Sequence, residues 1–340
     1  MLRRKLMGDL MEESKKDKRL KTKIENPEII PVTSSGDISP YFKNDNQNYL
    51  QQGLSNYHLQ SIKVTEHLQA ISDDPVRSKC EHFQEKLNTH YLPTLEDKML
   101  ILQVELNHSL RSINLKIPPV EYIYNPLEYA FDAYKIYILK YCSSIKKIAF
   151  VGMNPGPFGM CQTGVPFGDP KCVKEFLQIE GVVNKPEIEC PFREILGFNS
   201  SRREQSGERL WRFFQSICHT PEFFFKNAFL FNFCPIALMK GNGCNVTPGE
   251  IKDIKVRKSL EVLCEDWYLK VIRLLQPEYL IAIGRYIHKK TKDVFKANHI
   301  DNIKILYMPH PSPRAVNNTN WHEKAQTFLD ENNLMQYFRD

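Results

Sequence analysis

The sequence contains no apolar run near the roughly 20 residues that a membrane-spanning helix requires. Its first residues, MLRRKLMGDLMEESKKDK, also have no apolar core of the signal-peptide type. These two absences argue against a membrane protein and against a secreted one. We therefore expect a soluble, intracellular protein.

Paired cysteines are missing as well. The nine cysteines are scattered without a CxxC pair or four suitably placed ligands, which argues against a zinc ribbon, a redox motif or an iron–sulfur cluster. We expect reduced thiols with mainly structural roles. The phosphate-cradling motifs GxGxxG and GxxxxGKS/T are also absent from the ends of the predicted strands. A nucleotide-using α/β enzyme is therefore disfavoured.

The composition is that of a globular protein with a basic balance. Hydrophobic residues make up 42% of the 340 residues, which is enough for a sizeable core. The net charge of +6 favours an anionic partner such as nucleic acid, although only modestly.

Residues 1–93 read as a polar extension. Basic clusters at Arg3 to Lys5 and Lys15 to Lys23 are followed by a Ser/Asn/Gln-rich tract without sustained periodicity, so we predict a mostly disordered segment. A solvated tail and a nuclear-import or DNA-contacting arm are equally compatible with its charges. It contains a short aromatic patch, ISPYF at Ile38 to Phe42, which does not indicate any particular binding partner.

Order is predicted from Thr94 to the C-terminus. Thr94 can cap a helix together with Asp97 three residues on, and further helices are predicted over Gly207 to Cys218 and Arg257 to Gln276. Four short apolar runs predict strands: Lys147 to Gly152, Ala228 to Phe233, Tyr279 to Gly284 and Ile303 to Met308. Strands that alternate with helices predict an α/β fold, a three-layer sandwich around a mainly parallel four-stranded sheet.

Ligands of such sheets bind at the carboxyl ends of the strands. The first strand leads to Asn154 in a loop rich in glycine and proline, the second ends at Asn232, and the fourth leads to His310. Each of these side chains alone is typical of a turn or an exposed loop. Their shared position predicts one cleft.

The residue types in this cleft narrow the chemistry. An asparagine amide can read a nucleobase edge or orient a water, but it is not a strong base, so the reaction needs a good leaving group. Glycine allows close approach to the backbone around Asn154, and proline stiffens the loop. Phe167, set between small residues in QTGVPFG, suits stacking on a planar ring, with packing in the core as the alternative.

These stretches resemble a known family. GMNPGPFGMCQTGVPFGD at Gly152 to Asp169 is similar to the first motif of the single-strand-selective monofunctional uracil-DNA glycosylases, and MPHPSPR at Met308 to Arg314 to their second. YNPLEYAF and NFCPIALM extend the likeness to residues from about Leu95 to the C-terminus. The resemblance implies the uracil-DNA glycosylase fold, no metal or organic cofactor, and removal of uracil and some 5-oxidised uracils from single- and double-stranded DNA.

The resemblance also implies roles for individual residues. Asn154 would hold the attacking water and His310 would stabilise the leaving base. Phe167 would stack on the flipped base and Asn232 would read its edge. The remaining implied positions are Gly156 and Met160, whose backbone would line the pocket around C5 of the base, and Ser312, Pro313 and Arg314, which would contact DNA. Their loop would offer backbone N–H groups and Ser312 to a phosphate.

In the family, the segment that follows the second motif forms a wedge that fills the gap left by the flipped base. The segment after Arg314 lacks the expected proline and lysine and is slightly shorter, so its difference concerns the efficiency of the reaction on duplex DNA. The motifs hold no lysine for a Schiff base, so abasic-site cleavage is not expected. A non-catalytic DNA-damage-binding protein on the same fold is the alternative. We expect a monomer that acts in base excision repair in the nucleus.

Overall fold

The computed structural model describes residues 92–315 and 317–339, all of which belong to the second of two units in the chain, Gln84–Asp340. Residues 1–91, which include ISPYF and nearly all of the predicted extension, lie outside the described residues. The strands are β1 (Tyr122–Tyr124), β2 (Ile148–Gly152), β3 (Ala228–Asn232), β4 (Ala237–Met239), β5 (Asn245–Val246), β6 (Tyr279–Ile283) and β7 (Lys304–Met308).

The helices lie mostly between the strands. The α-helices are α1 (Leu95–Arg111), α2 (Pro126–Tyr129), α3 (Phe131–Tyr141), α4 (Met160–Thr163), α5 (Pro170–Glu175), α6 (Gln205–Cys218), α7 (Pro221–Asn227), α8 (Ile254–Leu275), α9 (Arg285–Ala297) and α10 (Trp321–Glu331). Short 3₁₀ turns occupy Gly197–Asn199, Pro248–Glu250 and Met335–Tyr337. Within the described part of the chain, no helix combines the length and the apolar character needed to cross a membrane.

The central sheet has four parallel strands in the order β3-β2-β6-β7. Helices cover both of its faces: Phe150 of β2 packs against Phe214 of α6, whereas Phe231 of β3 packs against Trp267 of α8. The predicted three-layer α/β fold with a four-stranded parallel sheet is confirmed. Each of the four strands lies within one residue of its predicted bounds.

The helix ends agree closely with the capping residues in the sequence. Thr94 accepts a hydrogen bond from the Asp97 backbone N–H, and Asp97 accepts one from the Thr94 backbone N–H, which confirms the predicted capping box. Helix α8 begins three residues before its predicted start, because Asp253 caps the N–H groups of Lys255 and Val256. It ends at its left-handed cap, Gln276, as predicted.

A second, antiparallel sheet in the order β1-β4-β5 was not predicted. Its strands have two or three residues, too few to establish an alternating pattern. It covers a small apolar cluster that includes Tyr124, Tyr129, Cys161 and Met239. Eight cysteines lie in the described residues, seven of them buried, and all eight are free thiols, as expected.

Candidate active site

The carboxyl ends of β2 and β3 are joined beyond the sheet itself. Gly152 is paired with Asn232 in the strand register. The chain continues this ladder, since the Phe233 N–H donates to the Gly152 carbonyl at 2.9 Å and the Cys234 N–H donates to the Met153 carbonyl at 2.9 Å. The loop that carries Asn154 is therefore held beside the strand end that carries Asn232.

Gly152 allows two predicted site residues to meet over the backbone. A Cβ atom at this position would lie 2.2 Å from Asn232 Oδ1 and 2.6 Å from Phe167 Cε2, closer than real Cβ contacts allow. Any larger residue would separate the two side chains or displace the strand end. The sequence indicated glycine for the approach of a ligand, but Gly152 in fact makes room for the protein's own side chains.

The Asn232 side chain is nearly fully buried, with 4% of its surface exposed. Its Nδ2 lies 3.2 Å from Met160 Sδ, a weak acceptor. Its Oδ1 has no hydrogen-bond partner among the described residues. A buried acceptor without a partner is unfavourable, so this oxygen favours a ligand that brings an N–H group.

Phe167 is held at the edge of the site rather than in the core. It is partly exposed and has a φ of +52°, a conformation that residues other than glycine seldom adopt. The indole N–H of Trp211 donates to its carbonyl oxygen at 3.0 Å and secures this geometry. Its ring lies 5.7 Å from the His310 ring, centroid to centroid. Stacking on a ligand is therefore favoured over core packing.

The loop after β2 presents Asn154 and Gly156. The Asn154 side chain is partly exposed, and its Nδ2 donates to Asn245 Oδ1 at 2.8 Å. A Cβ atom on Gly156 would lie 3.6 Å from Glu204 Cγ, an ordinary contact. Glu204 in turn caps α6 by accepting hydrogen bonds from the N–H groups of Ser206 and Gly207.

The second half of the first motif is fixed by buried polar side chains. Gln162, 1% exposed, donates to the carbonyls of Pro157 and Glu194 and accepts from the N–H groups of Leu196 and Gly197. All of its hydrogen-bonding capacity is therefore used inside the protein. This satisfied network explains the glutamine, which the sequence left without a role.

Asp169 ends the motif as a fully buried carboxylate. Arg203 donates to it through Nε and Nη2, both at 2.8 Å, and the N–H groups of Cys172 and Glu204 donate as well. Burial raises the pKa of Asp169, but these hydrogen bonds outweigh burial and the pKa is lowered overall. The ionised Asp169 thus joins α5 to the segment that begins α6.

His310 follows β7 and is neutral. The Ser312 N–H donates to His310 Nδ1 at 3.1 Å, so this nitrogen is unprotonated and the ring proton of the neutral imidazole is on Nε2. Desolvation lowers the pKa of His310 to about 4. His310 therefore offers Nε2–H as a hydrogen-bond donor at neutral pH.

The loop that carries His310 is secured from behind. Asn318, 4% exposed, donates to the carbonyls of His310 and Ser312 at 2.9 and 2.8 Å. Arg209 of α6 donates to the Asn318 carbonyl at 2.8 Å, and the Trp321 indole donates to the Pro309 carbonyl at 2.8 Å. The sequence did not indicate these residues, because their partners are backbone carbonyls that lie six or more positions away along the chain.

The predicted DNA contacts at Ser312, Pro313 and Arg314 differ in part from expectation. The loop was expected to offer backbone N–H groups to a phosphate. Instead the Ser312 N–H is bonded to His310, the Arg314 N–H to Ser312 Oγ and the Ala315 N–H to the Ser312 carbonyl. Pro313 has no N–H. The Ser312 hydroxyl proton and the exposed Arg314 side chain remain as available donors.

Comparison with known protein families shows which family the chain belongs to. The model of the uracil DNA glycosylase superfamily matches residues 139–334, more than half of the chain. The chain belongs to that superfamily. Two similar curated proteins are named single-strand selective monofunctional uracil DNA glycosylase: one from Bos taurus, 35% identical over 71% of this chain and 88% of its own, and one from Mus musculus, 35% identical over 70% and 86%. The predicted family is thereby confirmed.

A solved structure supports the fold of this glycosylase. The crystal structure of wild-type Pedobacter heparinus SMUG2 superposes with a TM-score of 0.53, covering 71% of this chain and 100% of that one at 19% sequence identity. At that identity the likeness concerns the fold alone.

Four basic residues of the glycosylase have partners within the protein, so they are poorly placed to contact DNA phosphates. Lys147 is paired with Glu278, Arg203 with Asp169, and Lys290 with Glu265. Lys146 is buried and donates to the Phe225 carbonyl at 2.6 Å. These four residues are therefore engaged in contacts within the protein.

Two other arginines flank the loop that carries Asn154. The guanidinium carbons of Arg193 and Arg202 lie 5.1 and 4.5 Å from the centroid of the Phe158 ring. In the described part of the chain, Arg193 donates to the Phe192 carbonyl, and neither arginine forms an ion pair with a carboxylate. Their positive charge is therefore held beside the site by contact with an aromatic ring.

Proposed function

We propose that this glycosylase removes uracil from DNA by hydrolysis of the N-glycosidic bond and leaves an abasic site without cutting the strand. The observation that carries the proposal is the buried amide of Asn232, whose Oδ1 has no partner among the described residues, beside the partly exposed ring of Phe167 and the neutral His310. A base must leave the helical stack to reach such a buried amide, at an expense of a few kcal/mol.

Recognition of the flipped base rests on Phe167 and Asn232. The Phe167 ring stacks on the plane of the base. The Asn232 Oδ1 accepts from N3–H of uracil, and its Nδ2 exchanges the weak Met160 contact for O4. Cytosine presents an acceptor at N3 and a donor at N4, so it would leave both ends of this amide facing like groups. Asn232 thus favours uracil over cytosine.

Departure of the base rests on His310. Negative charge grows on the uracil ring, including O2, as the glycosidic bond stretches. The Nε2–H of neutral His310 donates to O2, and the Ser312 N–H on Nδ1 keeps the imidazole in the required tautomer. A preorganised donor of this kind contributes roughly 3 to 4 kcal/mol in oxyanion-type sites.

Capture of the sugar cation rests on Asn154. Its side-chain amide orients a water but is no strong base, so most of the catalysis comes from stabilising the leaving base. The Gly156 and Met160 backbone borders C5 of the base, where a small polar substituent fits, so 5-hydroxymethyluracil and other 5-oxidised uracils are part of the proposal.

Both single- and double-stranded DNA are proposed as substrates. Arg193 and Arg202 beside Phe158, the exposed Arg285 and Lys289 at the start of α9, and Arg314 provide positive charge around the site. The altered segment after Arg314 is expected to reduce the rate on duplex DNA relative to single strands. We also propose that the protein is a monomer and that it acts in the nucleus. The proposed location rests on the DNA substrate alone.

A single-turnover assay tests the activity. Excess protein is mixed with labelled single-stranded DNA that carries one uracil, in buffer with chelator, and abasic sites are then split with alkali. We expect strand breakage only after alkali. Breakage without alkali would mean lyase activity, and tight binding without base release at any salt concentration would support a non-catalytic damage-binding protein.

The variant Asn154→Ala tests the assignment of the water. We expect DNA binding to stay close to wild type and the maximal rate of base release to fall, because the water is no longer oriented. A near-normal single-turnover rate would remove Asn154 from the mechanism.

A further inference from the structure

The amide of Asn154 is bonded to a residue of the small antiparallel sheet. Asn154 Nδ2 donates to Asn245 Oδ1 at 2.8 Å, across 91 positions of sequence. The Oδ1 of Asn154 accepts no hydrogen bond from another side chain or N–H group in the described part of the chain. One end of the catalytic amide is thus engaged within the protein, and the other end is available.

The two ends of an amide are chemically opposite. Only the oxygen can accept a hydrogen bond from a water and direct the water's lone pair at the sugar, whereas the NH₂ group would hold that lone pair itself. An amide without a partner could rotate between the two arrangements. We propose that Asn245 is a positioning residue, which binds Nδ2 of Asn154 and thereby directs Oδ1 to the attacking water. This inference rests on the proposed function.

The backbone around Asn245 is well fixed. Asn245 is paired with Met239 in the β4–β5 register, and the connecting turn is closed by hydrogen bonds from the Lys240 N–H to the Cys244 carbonyl and from the Gly243 N–H to the Lys240 carbonyl. A capping box between Thr247 and Glu250 follows at once. The Asn245 side chain itself is exposed and makes this one hydrogen bond within the described residues.

The small sheet gains a role from this contact. It packs on the apolar cluster beneath the first motif, where the Tyr129 hydroxyl donates to the Cys161 carbonyl at 2.6 Å. The turn and the loop of Asn154 are therefore fixed relative to each other from below. The Asn245 side chain can then bind Asn154 from a backbone position that is itself fixed.

Two substitutions at position 245 separate the possible effects. Asn245→Leu keeps the size but removes the acceptor, and we expect the maximal single-turnover rate to fall about three- to tenfold, as expected for loss of one neutral hydrogen bond. Asn245→Asp offers only acceptor oxygens to Nδ2, so we expect most of the rate to return. Rates are read at saturating protein, because the added carboxylate will weaken DNA binding.

Repeating the Asn245→Leu substitution in an Asn154→Asp variant tests whether Asn245 acts by orienting the amide of Asn154. In Asn154→Asp both carboxylate oxygens accept hydrogen bonds, so no end has to be selected. We expect Asn245→Leu to leave the rate of Asn154→Asp unchanged, although it slows the wild type. A loss of the same size in both backgrounds would overturn the inference, because it would indicate a general structural effect.

The control is Asn302→Leu, which makes the same exchange at an exposed asparagine before β7, at the opposite end of the sheet. We expect it to have no effect on the rate. An active wild type with an equally active Asn245→Leu would overturn this inference alone. A wild type that releases no uracil would overturn the proposed function and this inference with it.

Discussion

Gly152 organises the site although it takes no part in the chemistry. It is the point at which Asn232 and Phe167 approach the same Cα, so the amide proposed to read the base and the ring proposed to stack on it share one support. The strained φ of Phe167 has the same purpose, since it directs the ring over this glycine rather than into the core. The fold itself therefore sets the relative placement of these two side chains.

Phe167→Ala tests the stacking role. We expect both the affinity for uracil-containing DNA and the rate of base release to decrease, together by about 1 to 3 kcal/mol, the usual contribution of one stacked base. Single-turnover rates measured over a range of protein concentrations give both quantities.

Two conservative variants control this result. Phe167→Tyr keeps the ring and is expected to stay near wild type, whereas Phe167→Leu keeps only the apolar volume and is expected to behave like Phe167→Ala. If all three variants keep wild-type rate and affinity, Phe167 is only a packing residue.

The neutral His310 predicts how activity and stability depend on pH. Its folded pKa of about 4 lies below the unfolded value near 6.5, so the unfolded chain binds a proton first as pH falls. His310 thus contributes stability that is complete above pH 6.5 and is lost progressively down to about pH 4. The maximal rate, which needs the neutral ring, should be constant between about pH 5.5 and 8.

A pH–rate profile at saturating protein checks this expectation, with unfolding measured in parallel. A midpoint near 6.5 in the rate, the value of an unperturbed imidazole, would contradict a neutral, desolvated His310.

The residues proposed to carry the chemistry stand out in the sequence, whereas those that position them do not. Asn154, Asn232 and His310 follow strands, and parallel strands bring such residues to one edge. Asn318 and Asn245 bind atoms more than five positions away along the chain, and nothing local distinguishes them from ordinary turn asparagines. Their roles depend on tertiary pairing.

At the scale of elements, Asp169 connects the first motif to the helices that follow it. It caps α5 through the Cys172 N–H and receives the paired N–H groups of Arg203. The same segment continues to Glu204, which caps α6, and α6 supplies Trp211 to the Phe167 carbonyl. The buried Asp169 carboxylate therefore supports Phe167 indirectly, through the starts of α5 and α6.

Asp169→Asn tests this support. The substituted NH₂ group would face the donors of Arg203 or the Cys172 N–H, so at least one charge-assisted hydrogen bond is removed. We expect the free energy of unfolding at pH 7 to fall by about 2 to 4 kcal/mol, the combined size of a helix cap and a hydrogen bond to a charged group. Denaturant titration measures the change.

Asp301→Asn provides the comparison, because Asp301 is exposed. It should leave the unfolding midpoint close to wild type. Equal midpoints for both variants would show that the Asp169 carboxylate contributes little to stability.

Element prediction succeeded where the pattern is long or a cap is explicit. Helix α1 has its capping box in the sequence, and the buried strands of the parallel sheet are apolar runs of five residues. The antiparallel sheet meets neither condition. Its strand β5 has only two residues and is recognised only by its pairing with β4. That sheet carries Asn245, so the missed element and the missed residue have one cause.

At the scale of the whole molecule, the proposed catalytic groups all lie in residues 154–310, and the segments that hold them end by Trp321. The basic clusters of residues 1–91 lie outside this set. The chain has a net charge of +6, and two parts of it could attract DNA: the charged surface around the site, or the N-terminal segment acting as a separate DNA-binding arm.

Deletion of residues 1–91 distinguishes these uses. We expect the maximal single-turnover rate on uracil-containing single strands to equal that of the full chain, because no group assigned to recognition or catalysis is removed. A slower maximal rate would contradict the predicted domain boundary at residue 94. Affinity is the second measurement: if the arm holds phosphates, its removal weakens binding at low salt and flattens the dependence of affinity on salt, by about 0.7 in log–log slope for each phosphate of single-stranded DNA that the arm had neutralised. If the segment is a solvated tail, both affinity and slope stay at the values of the full chain, and the charge that attracts DNA is that of the glycosylase domain itself.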